Sequence, residues 1–403
     1  MDKSYDTIVV GAGINGCGIA LELSCRGQRV LVLDKGAIGG GTSSRSSRLI
    51  HGGLRYLETR RFGLVYEALH DRQELLEIYP DLVSLRPFYL PTYETSPRRT
   101  WKVWTGIKLY DLLAGRRNRV RSARVPKEVF QEQFPALRRE GLESVFVYAD
   151  GKTDDRELTR RVAVEAQQDG AEILEGAEVR GLRRGVDRIT VETSQGEYHS
   201  PAVVNATGPW IDEIVERFGL PARYCIRKVS GVHLFLDGLL VPEPMFLQTR
   251  EKRIFFIIPE PERNQTLIGT TERDETGSMD SIQVSEEDVA YLIGEANGYL
   301  TPQAFIRRED VREAVVGVRA LVSKRADPTD LSREYELDLH RMGRTRLLHI
   351  FGGKLTTYLS LARRAARRLG VPEPRERVRR RLTRPSRGRH SEPGTGGPNA
   401  PRA

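Results

Sequence analysis

Short apolar runs flank a helical segment at the start of the chain. Residues 5–10 and 29–33 are apolar and rich in β-branched side chains, which predicts two short buried strands. The segment between them predicts a helix that follows the first strand directly. The pattern therefore predicts a βαβ unit with a parallel sheet at the N-terminus.

Further along, the pattern predicts that the same sheet is completed by distant parts of the chain. Residues 155–168 predict a helix with Asp154 or Asp155 as its N-cap, followed by short strands around 171–179 and 188–193. Residues 202–205 predict another strand of the first sheet. Near the C-terminus, RLLHIFGGKLTTYLSLARRAARRLG predicts a strand, a turn at Gly352 and Gly353, and a helix. The alternating segments VHLFL, RIFFIIP and TLIGTT predict a separate antiparallel sheet.

A Trp-rich segment, RRTWKVWTGIKLYDLLAGRRNR, carries apolar residues at helical spacing. Val103, Trp104, Ile107 and Tyr110 fall on one face, which predicts a helix packed on the body of the protein. Tryptophan flanked by Arg and Lys also suits a lipid interface, so contact with a membrane surface is the alternative.

Three glycines after the first strand indicate a nucleotide site. Gly11, Gly13 and Gly16 have the GxGxxG spacing, which lets a pyrophosphate approach the N-terminus of the next helix. Asp34 ends the second strand, about 20 residues after the fingerprint, where a carboxylate can accept hydrogen bonds from a ribose diol. Together they predict that an adenine dinucleotide binds here. The TSSRSSRL loop that follows indicates that this dinucleotide contains a flavin.

Length, composition and cysteine content agree with a soluble enzyme. The 403 residues are enough for two to three domains. No run approaches the roughly 18 apolar residues of a membrane span, and no signal peptide is evident, which predicts a cytoplasmic protein. The three cysteines show no metal or disulfide spacing.

The net charge of +9 is concentrated at one end. Residues 363–390 contain twelve arginines and two glutamates, which account for the whole excess. Nucleic acid is therefore not expected as a partner of the body. The tail at 371–403 is rich in Pro, Gly and Arg and is predicted to be a disordered, solubilising extension, with binding to acidic lipid or RNA as the alternatives.

Longer motifs then narrow the class of protein. GAGINGCGIALELSCRG, TSSRSSRLIHGGLRYLE, VNATGPW, IGTT, GVRAL and FGGKLTTY occur in this order. In order and spacing, residues 5–370 resemble the FAD-dependent glycerol-3-phosphate dehydrogenase family, within the wider amine and hydroxy-acid oxidase fold group. The resemblance implies a mixed α/β and α+β fold, discontinuous in sequence, in which a Rossmann-like FAD-binding domain carries an antiparallel-sheet substrate domain.

The domain boundaries follow from the same resemblance. The FAD-binding domain is expected to comprise 1–59, 150–215 and 345–370, and the substrate domain 60–149 and 216–344. The family's C-terminal helical domain is expected to be absent and replaced by the basic tail. Glu272 stands where the family commonly has Asp.

FAD is expected to bind without a covalent bond, although some relatives in the fold group tether flavin covalently through a residue near the LIHGG loop, which contains His51. The residues that the resemblance implies as FAD contacts are Gly11, Gly13, Ile14, Asn15, Gly16, Asp34, Lys35, Thr42, Ser43, Ser44, Ser47, Leu49, His51, Gly52, Gly53, Val179, Ala206, Thr207, Gly208, Trp210, Gly353, Lys354, Leu355 and Thr356.

The implied reaction oxidises sn-glycerol 3-phosphate to dihydroxyacetone phosphate and passes electrons to a membrane quinone. A phosphate dianion needs fixed cations, and Arg binds two of its oxygens at once. An internal salt bridge is the alternative for Arg319, and a solvated face is the alternative for Arg333. The predicted substrate residues are Arg55, Tyr56, His233, Thr270, Arg319, Arg333 and Lys354.

Oxidation of an alcohol by a flavin requires hydride transfer to N5 and a base that removes the hydroxyl proton. His233, in the apolar segment VHLFL, is the predicted base because imidazole has an ordinary pKa near ~6.5. A structural role for His233, with Arg319 polarising the alcohol, is the alternative.

Other functions remain open from the sequence. They are an oxidase that uses oxygen, an oxidoreductase for another 2-hydroxy acid or amine, and a non-catalytic flavin-binding membrane adaptor. Peripheral attachment at the inner face of the cytoplasmic membrane and a homodimer are further expectations.

Overall fold

The computed structural model describes residues 3–115, 120–325, 327–332 and 334–373. Its α-helices are α1 Ile14–Ser24, α2 Phe62–Ile78, α3 Thr100–Ala114, α4 Lys127–Gln133, α5 Asp155–Gln168, α6 Ile211–Arg217, α7 Glu286–Asn297 and α8 Tyr358–Arg368. Its strands are β1 Thr7–Val10, β2 Val30–Leu33, β3 Leu49–Ile50, β4 Val83–Tyr93, β5 Ala123–Val125, β6 Leu142–Thr153, β7 Glu172–Leu174, β8 Val179–Arg184, β9 Ile189–Thr193, β10 Gly196–Ser200, β11 Ala202–Asn205, β12 Tyr224–Asp237, β13 Met245–Gln248, β14 Ile254–Glu260, β15 Gln265–Gly269, β16 Arg273–Glu275, β17 Val311–Lys324, β18 Asp327–Ser332, β19 Glu336–Met342 and β20 Thr345–Phe351.

The predicted parallel sheet is present and has, within the described ranges, the strand order β19-β20-β11-β1-β2-β7. The strands from β20 to β7 run parallel, and β19 joins the edge antiparallel to β20. Every residue of β1, β2 and β11 is buried. The reason is that α1, α5 and α8 cover one face while the small β8–β10 sheet covers the other. This layer confirms the Rossmann-like prediction.

The predicted antiparallel sheet is larger than the three segments that indicated it. Its main path within the described ranges is β18-β17-β12-β15-β14-β13-β4-β6-β3. Helices α4 and α7 pack on one face of this sheet, and α2 and α3 pack on the other. Two parts of the chain that are far apart in sequence, β3–β6 and β12–β18, therefore build one continuous sheet.

The Trp-rich segment forms α3 and packs on the protein as predicted. Val103, Ile107 and Tyr110 are buried, and Trp104 stacks on Phe146 with ring centroids 5.2 Å apart. The opposite face of α3 leaves Trp101 61% exposed. The helix predicted at 155–168 is also present, with Asp154 as its N-cap accepting from the amide of Glu157.

Four predicted boundaries need correction. The boundary at residue 345 cuts the β19–β20 hairpin, whose strands pair throughout, so the last FAD-side segment begins with β19 at Glu336. The boundary at 150 falls inside β6, and the one at 215 falls inside α6. Val371 is buried against α1 and α8, so the tail begins after it; residues 374–403 lie outside the described residues.

In the described part of the chain, no helix combines the length and the apolar character needed to span a membrane.

Candidate functional site

A cavity of about 930 Å³ lies between the two large sheets. Its walls include Gly11, Asp34 and Ala206 at the carboxyl ends of parallel strands, and His233 and Arg319 from the antiparallel sheet. The volume is near the upper end of the roughly 300–1,000 Å³ that ligand pockets occupy. Open α/β sheets bind ligands at this edge, so the position agrees with a cofactor site.

The glycine turn packs closely against neighbouring segments of the protein. Gly11 has a φ of +106°, and a Cβ there would lie 2.6 Å from the carbonyl oxygen of Ala206. A Cβ on Gly13 would lie 3.2 Å from the hydroxyl oxygen of Ser43. Helix α1 begins at Ile14, and its N-cap residue Gly13 provides no side-chain cap. The positive end of the helix dipole can therefore attract an anion, although the Ile14 amide already donates to Ser43.

Asp34 is positioned for a ribose by two backbone amides. Its Oδ2 accepts from the amide of Ala12 at 2.6 Å, and its Oδ1 accepts from the amide of Gly36 at 2.8 Å. Each carboxylate oxygen can accept a second hydrogen bond. Asn15 adds a buried Oδ1 on the same wall that has no partner among the described residues. These features fit FAD, whose pyrophosphate and ribose need such groups.

A second wall beside Asp34 brings together residues that are far apart in sequence. Lys35 Nζ lies 3.3 Å from Asp280 Oδ1 and 4.7 Å from the ring centroid of Trp210. Trp210 also donates through Nε1 to Asp280 Oδ1 at 3.4 Å. Lys35 and Trp210 were predicted to contact FAD, whereas nothing in the segment around Asp280 indicated its position.

The serine-rich loop joins the two sheets. Ser43 Oγ accepts from the amide of Ile14 at 3.0 Å, and Thr42 Oγ1 donates to the carbonyl of Val318 at 2.9 Å. Ser47 Oγ lies 2.9 Å from His233 Nε2. The loop that begins on the cofactor side therefore ends against the predicted base.

Buried polar groups hold the next loop, residues 51–53, in place. The amide of Gly52 donates to the hydroxyl of Tyr110 at 2.8 Å, and that hydroxyl donates to Asp150. Arg72 Nη1 completes the cluster at 2.6 Å from Asp150 Oδ1. The amide of His51 donates to Thr356 Oγ1 at 3.1 Å, which connects this loop to the turn before α8.

Cationic side chains gather on one wall of the cavity. Arg319 Nη1 and Arg55 Nη1 donate to the same oxygen, Glu272 Oε1, at 3.0 Å and 3.2 Å. Arg319 Nη2 also donates to Thr270 Oγ1 at 3.1 Å. The salt bridge considered as an alternative for Arg319 is therefore present, and it shares its carboxylate with a second predicted phosphate ligand.

Lys354 lies close to this group. Its Nζ is 4.0 Å from the ring centroid of Tyr56, a distance that gives a cation–π contact. Lys354, Tyr56, Arg55 and Arg319 all line the cavity. The wall thus combines several positive charges with one carboxylate.

His233 is buried, and its environment corrects one sequence-based expectation. Burial, together with the charges of Arg319 and Arg48, lowers its pKa to about 3, below the ordinary value of 6.5. The imidazole is therefore neutral at neutral pH. Its Nδ1 has no partner among the described residues, while Nε2 faces Ser47. Burial also lowers the pKa of His51.

Most of the predicted site residues line one cavity. Gly16, Ser44 and Gly52 do not line it. A Cβ on Gly16 would lie 1.9 Å from the carbonyl oxygen of Gly11, so this glycine serves helix packing, and Ser44 bonds to Gly41 within its own turn. Arg333 lies outside the described residues. The cavity residues that sequence reasoning did not place include Arg45, Phe88, Tyr148, Phe246, Phe256 and Asp280.

Comparison with known proteins agrees with the class that this fold and cavity define. A family model described as FAD dependent oxidoreductase matches residues 6–380. The chain belongs to this family of FAD-dependent oxidoreductases.

The curated proteins that resemble this chain identify a more specific group within the family. A glycerol-3-phosphate dehydrogenase of Pseudomonas aeruginosa is 37% identical over 91% of this chain and 71% of its own length. A D-erythritol 1-phosphate dehydrogenase of Brucella abortus is 35% identical over 91% of this chain and 74% of its own length. The chain spans 52% of the human mitochondrial glycerol-3-phosphate dehydrogenase, to which it is 34% identical. The predicted family resemblance is confirmed.

Solved structures have the same fold. A glycerol-3-phosphate dehydrogenase from Bacillus halodurans, complexed with FAD, superposes with a TM-score of 0.72 at 25% identity. That match covers 93% of this chain and 67% of the other. A glycine oxidase from Geobacillus kaustophilus, at a TM-score of 0.67 and 22% identity, shares the fold alone.

Proposed function

We propose that this chain oxidises sn-glycerol 3-phosphate to dihydroxyacetone phosphate with FAD bound in the cavity. The observation that carries the proposal is the wall on which Arg55, Arg319 and Lys354 lie near the buried, neutral His233. A phosphorylated secondary alcohol has a phosphate for the cations of this wall and a hydroxyl group for His233. The names of the similar curated proteins, which are polyol-phosphate dehydrogenases, support the same substrate class.

The cationic side chains bind the phosphate in this proposal. Arg319 is fixed by Thr270 and by the carbonyl of Thr271, which orients its guanidinium before a ligand arrives. A Cβ on Gly231 would lie 2.5 Å from Arg319 Nη2, so glycine at this position leaves room for that orientation. Preorganised donors reduce the entropy lost on binding.

His233 accepts the hydroxyl proton of the substrate. Ser47 Oγ lies 2.9 Å from Nε2 in a hydrogen bond whose direction depends on the ring tautomer, and this contact orients the ring. A neutral imidazole has a lone pair available for the proton. Burial is the largest cause of its lowered pKa, and the arriving phosphate would offset the smaller contribution of the arginine charges. Bound FAD supplies the acceptor for the hydride that leaves the carbinol carbon.

The cofactor contacts are also part of the proposal. Gly11, Gly13 and the N-terminus of α1 would hold the pyrophosphate, Asp34 the ribose, and the 42–47 loop and Gly353–Thr356 turn the flavin. Non-covalent binding has a direct test, because acid precipitation should release all flavin into the supernatant. Flavin that stays with the precipitate would indicate a covalent bond and make His51 the first residue to examine.

Anaerobic reduction of the purified holoenzyme tests the substrate. Addition of sn-glycerol 3-phosphate should bleach the oxidised flavin band, whereas glycerol and glycerate should not at equal concentration. D-Erythritol 1-phosphate belongs in the same series because a similar curated protein bears that name. Persistence of the oxidised band with every phosphorylated polyol would refute the proposal.

We propose a membrane quinone as electron acceptor, reached by peripheral contact at the inner face of the cytoplasmic membrane. Support comes from α3, where Trp101 is 61% and Leu112 75% exposed and Lys102 and Lys108 add positive charge. The double variant Trp101→Ser, Leu112→Ser should lose binding to phosphatidylglycerol vesicles. Val186→Ser, at an exposed apolar residue elsewhere, should not. Equal vesicle binding by wild type, the double variant and Val186→Ser would contradict a membrane contact through α3.

Oxygen is the rival acceptor. Stoichiometric hydrogen peroxide during turnover in air, with no rate increase from a soluble quinone, would favour an oxidase. A homodimer also stays a prediction, and light scattering of the holoenzyme tests it.

A further inference from the structure

Glu272 occupies a central place among the cations of the cavity. Its Oε1 accepts hydrogen bonds from Arg319 at 3.0 Å and from Arg55 at 3.2 Å. The side chain of Glu272 is 19% exposed, and those of Arg55 and Arg319 are 33% and 32% exposed. A carboxylate therefore sits between two side chains assigned to the substrate's phosphate.

We propose that Glu272 is an internal counter-anion that the substrate's phosphate displaces. The inference rests on the proposed function, because it takes a phosphorylated ligand as the displacing group. Before substrate arrives, the carboxylate neutralises part of the charge on Arg55 and Arg319. When phosphate binds, its oxygens take over the guanidinium donors and the Glu272 side chain turns away.

The structure holds Arg319 in place independently of Glu272. Arg319 Nη2 donates to Thr270 Oγ1 at 3.1 Å and to the carbonyl of Thr271 at 3.0 Å. Loss of the carboxylate contact thus leaves the guanidinium oriented toward the cavity. An arginine that depended on Glu272 alone would lose its orientation when the carboxylate left.

The main chain at Glu272 is held as well, so that only its side chain has to move. Arg253 Nη1 donates to the carbonyl oxygen of Glu272 at 3.0 Å. Glu272 lies between β15 and β16, both of which pair with β12. Rotation about the side-chain bonds therefore frees the arginines without disturbing the sheet.

The charge of the incoming anion decides whether it or the Glu272 carboxylate binds the two arginines. A phosphate dianion carries more charge than a carboxylate and offers three oxygens to planar guanidinium groups. Lys354, near the same wall, adds attraction for the incoming dianion. The same carboxylate repels any anion that enters, so a ligand with only one charge gains less from displacing it. Glu272 would thereby favour phosphorylated over carboxylated substrates.

Removal of the Glu272 charge should tighten phosphate binding. Glu272→Gln keeps the shape and an accepting oxygen, so it weakens the competition for the arginine donors and removes the charge repulsion. We expect the Kd of inorganic phosphate to fall about tenfold, which corresponds to about 1.4 kcal/mol. Glu272→Asp keeps the charge on a shorter side chain, so its Kd should not fall.

The experiment titrates inorganic phosphate and dihydroxyacetone phosphate into oxidised, FAD-loaded protein at constant ionic strength and follows the flavin spectrum. Glu286→Gln is the matched control, because Glu286 pairs with Arg308 on an exposed surface. Should Glu272→Gln not retain FAD, Glu272→Ser removes the same charge and is measured in its place.

The outcomes separate the two proposals. Tighter binding by Glu272→Gln, with Glu272→Asp and Glu286→Gln no tighter than wild type, supports displacement. If wild type binds phosphate and Glu272→Gln binds it equally or more weakly, Glu272 is an organiser of the arginines and the inference is overturned while the proposed function stands. If neither ligand binds wild type, the proposed function fails and this inference fails with it.

Discussion

The Nε2 atom of His233 lies 2.9 Å from the hydroxyl oxygen of Ser47. His233 belongs to β12 of the antiparallel sheet, whereas Ser47 lies in the loop that also contacts the N-terminus of α1. This hydrogen bond connects the loop next to the parallel sheet and α1 to the antiparallel sheet. Since the ring Nδ1 has no partner among the described atoms, the Ser47 contact bears directly on the ring's orientation.

Ser47→Ala should slow flavin reduction without unfolding the protein. The variant removes one neutral hydrogen bond, with a net value of about 1 kcal/mol, which corresponds to roughly a fivefold lower rate. Stopped-flow reduction by sn-glycerol 3-phosphate measures it. The control is Thr190→Ala, which removes a hydroxyl–imidazole contact of 3.1 Å to His199 outside the cavity and should leave the rate unchanged. Equal rates in wild type and Ser47→Ala would show that the contact does not position His233.

His233→Asn should lower kcat by about 10² to 10⁴, the usual contribution of a general base. Asparagine can still contact Ser47 but cannot accept the proton. Flavin content and anaerobic reduction rates distinguish loss of chemistry from loss of cofactor. A decrease below tenfold in FAD-loaded protein would favour the alternative in which Arg319 polarises the alcohol.

Arg319→Lys should reduce kcat/KM by about ten to a thousandfold. Lysine keeps the charge but lacks the planar fork by which Nη2 binds Thr270 and Thr271 while Nη1 faces an anion, and each charged hydrogen bond is worth about 1.5–3 kcal/mol. Steady-state kinetics with a dye acceptor measure the change. Arg312→Lys, on the same strand but paired with exposed Asp237, is the control. Similar kinetics for both variants would remove Arg319 from the substrate site.

Asp71 predicts a pH effect on stability rather than on catalysis. It is 3% exposed on α2, and burial raises its pKa from 3.8 to about 7 although Ser360 donates two hydrogen bonds to it. The folded protein therefore holds this proton more tightly than the unfolded chain, and the resulting stability, full below about pH 4, is lost as pH rises through about 7.

Asp71→Asn carries no charge at any of these pH values. Its thermal midpoint relative to wild type should consequently be higher at pH 8 than at pH 5, with an effect of up to about 1.4 kcal/mol for each pH unit crossed. Asp187→Asn, at a carboxylate 66% exposed, should show the same difference at both pH values. An unchanged Asp71→Asn difference between pH 5 and pH 8 would contradict the raised pKa.

Much of the fold could be predicted because local patterns carry it. The buried strands β1, β2 and β11 are short apolar runs, and the Asp154 cap and the α3 face follow from local spacing. The boundaries were less predictable. Strand β19 belongs to the parallel layer only through its pairing with β20, and β6 extends past the predicted boundary at 150 because it pairs with β4 along its length.

In the candidate site, too, local features could be predicted from the sequence and long-range contacts could not. Motif spacing indicated Gly11, Gly13 and Asp34 because a phosphate and a ribose impose short, local requirements on the chain. Asp280 had no such signal, since it meets Lys35 from a segment 245 residues away. His233 was predicted with an ordinary pKa, and its lowered value results from burial and from arginines on other segments.

The amino-acid sequence by itself determined the class of this protein. It showed the cofactor fingerprint, predicted one parallel and one antiparallel sheet, and contained the cationic residues proposed to bind a phosphate. Local spacing is sufficient for those, because helices, strands and glycine turns depend on neighbouring residues. Only the tertiary structure decided that Glu272 joins Arg55 to Arg319 and that Ser47 meets His233. Those contacts depend on strand register and on the packing of loops between two sheets, and both are set by interactions between residues far apart in the chain.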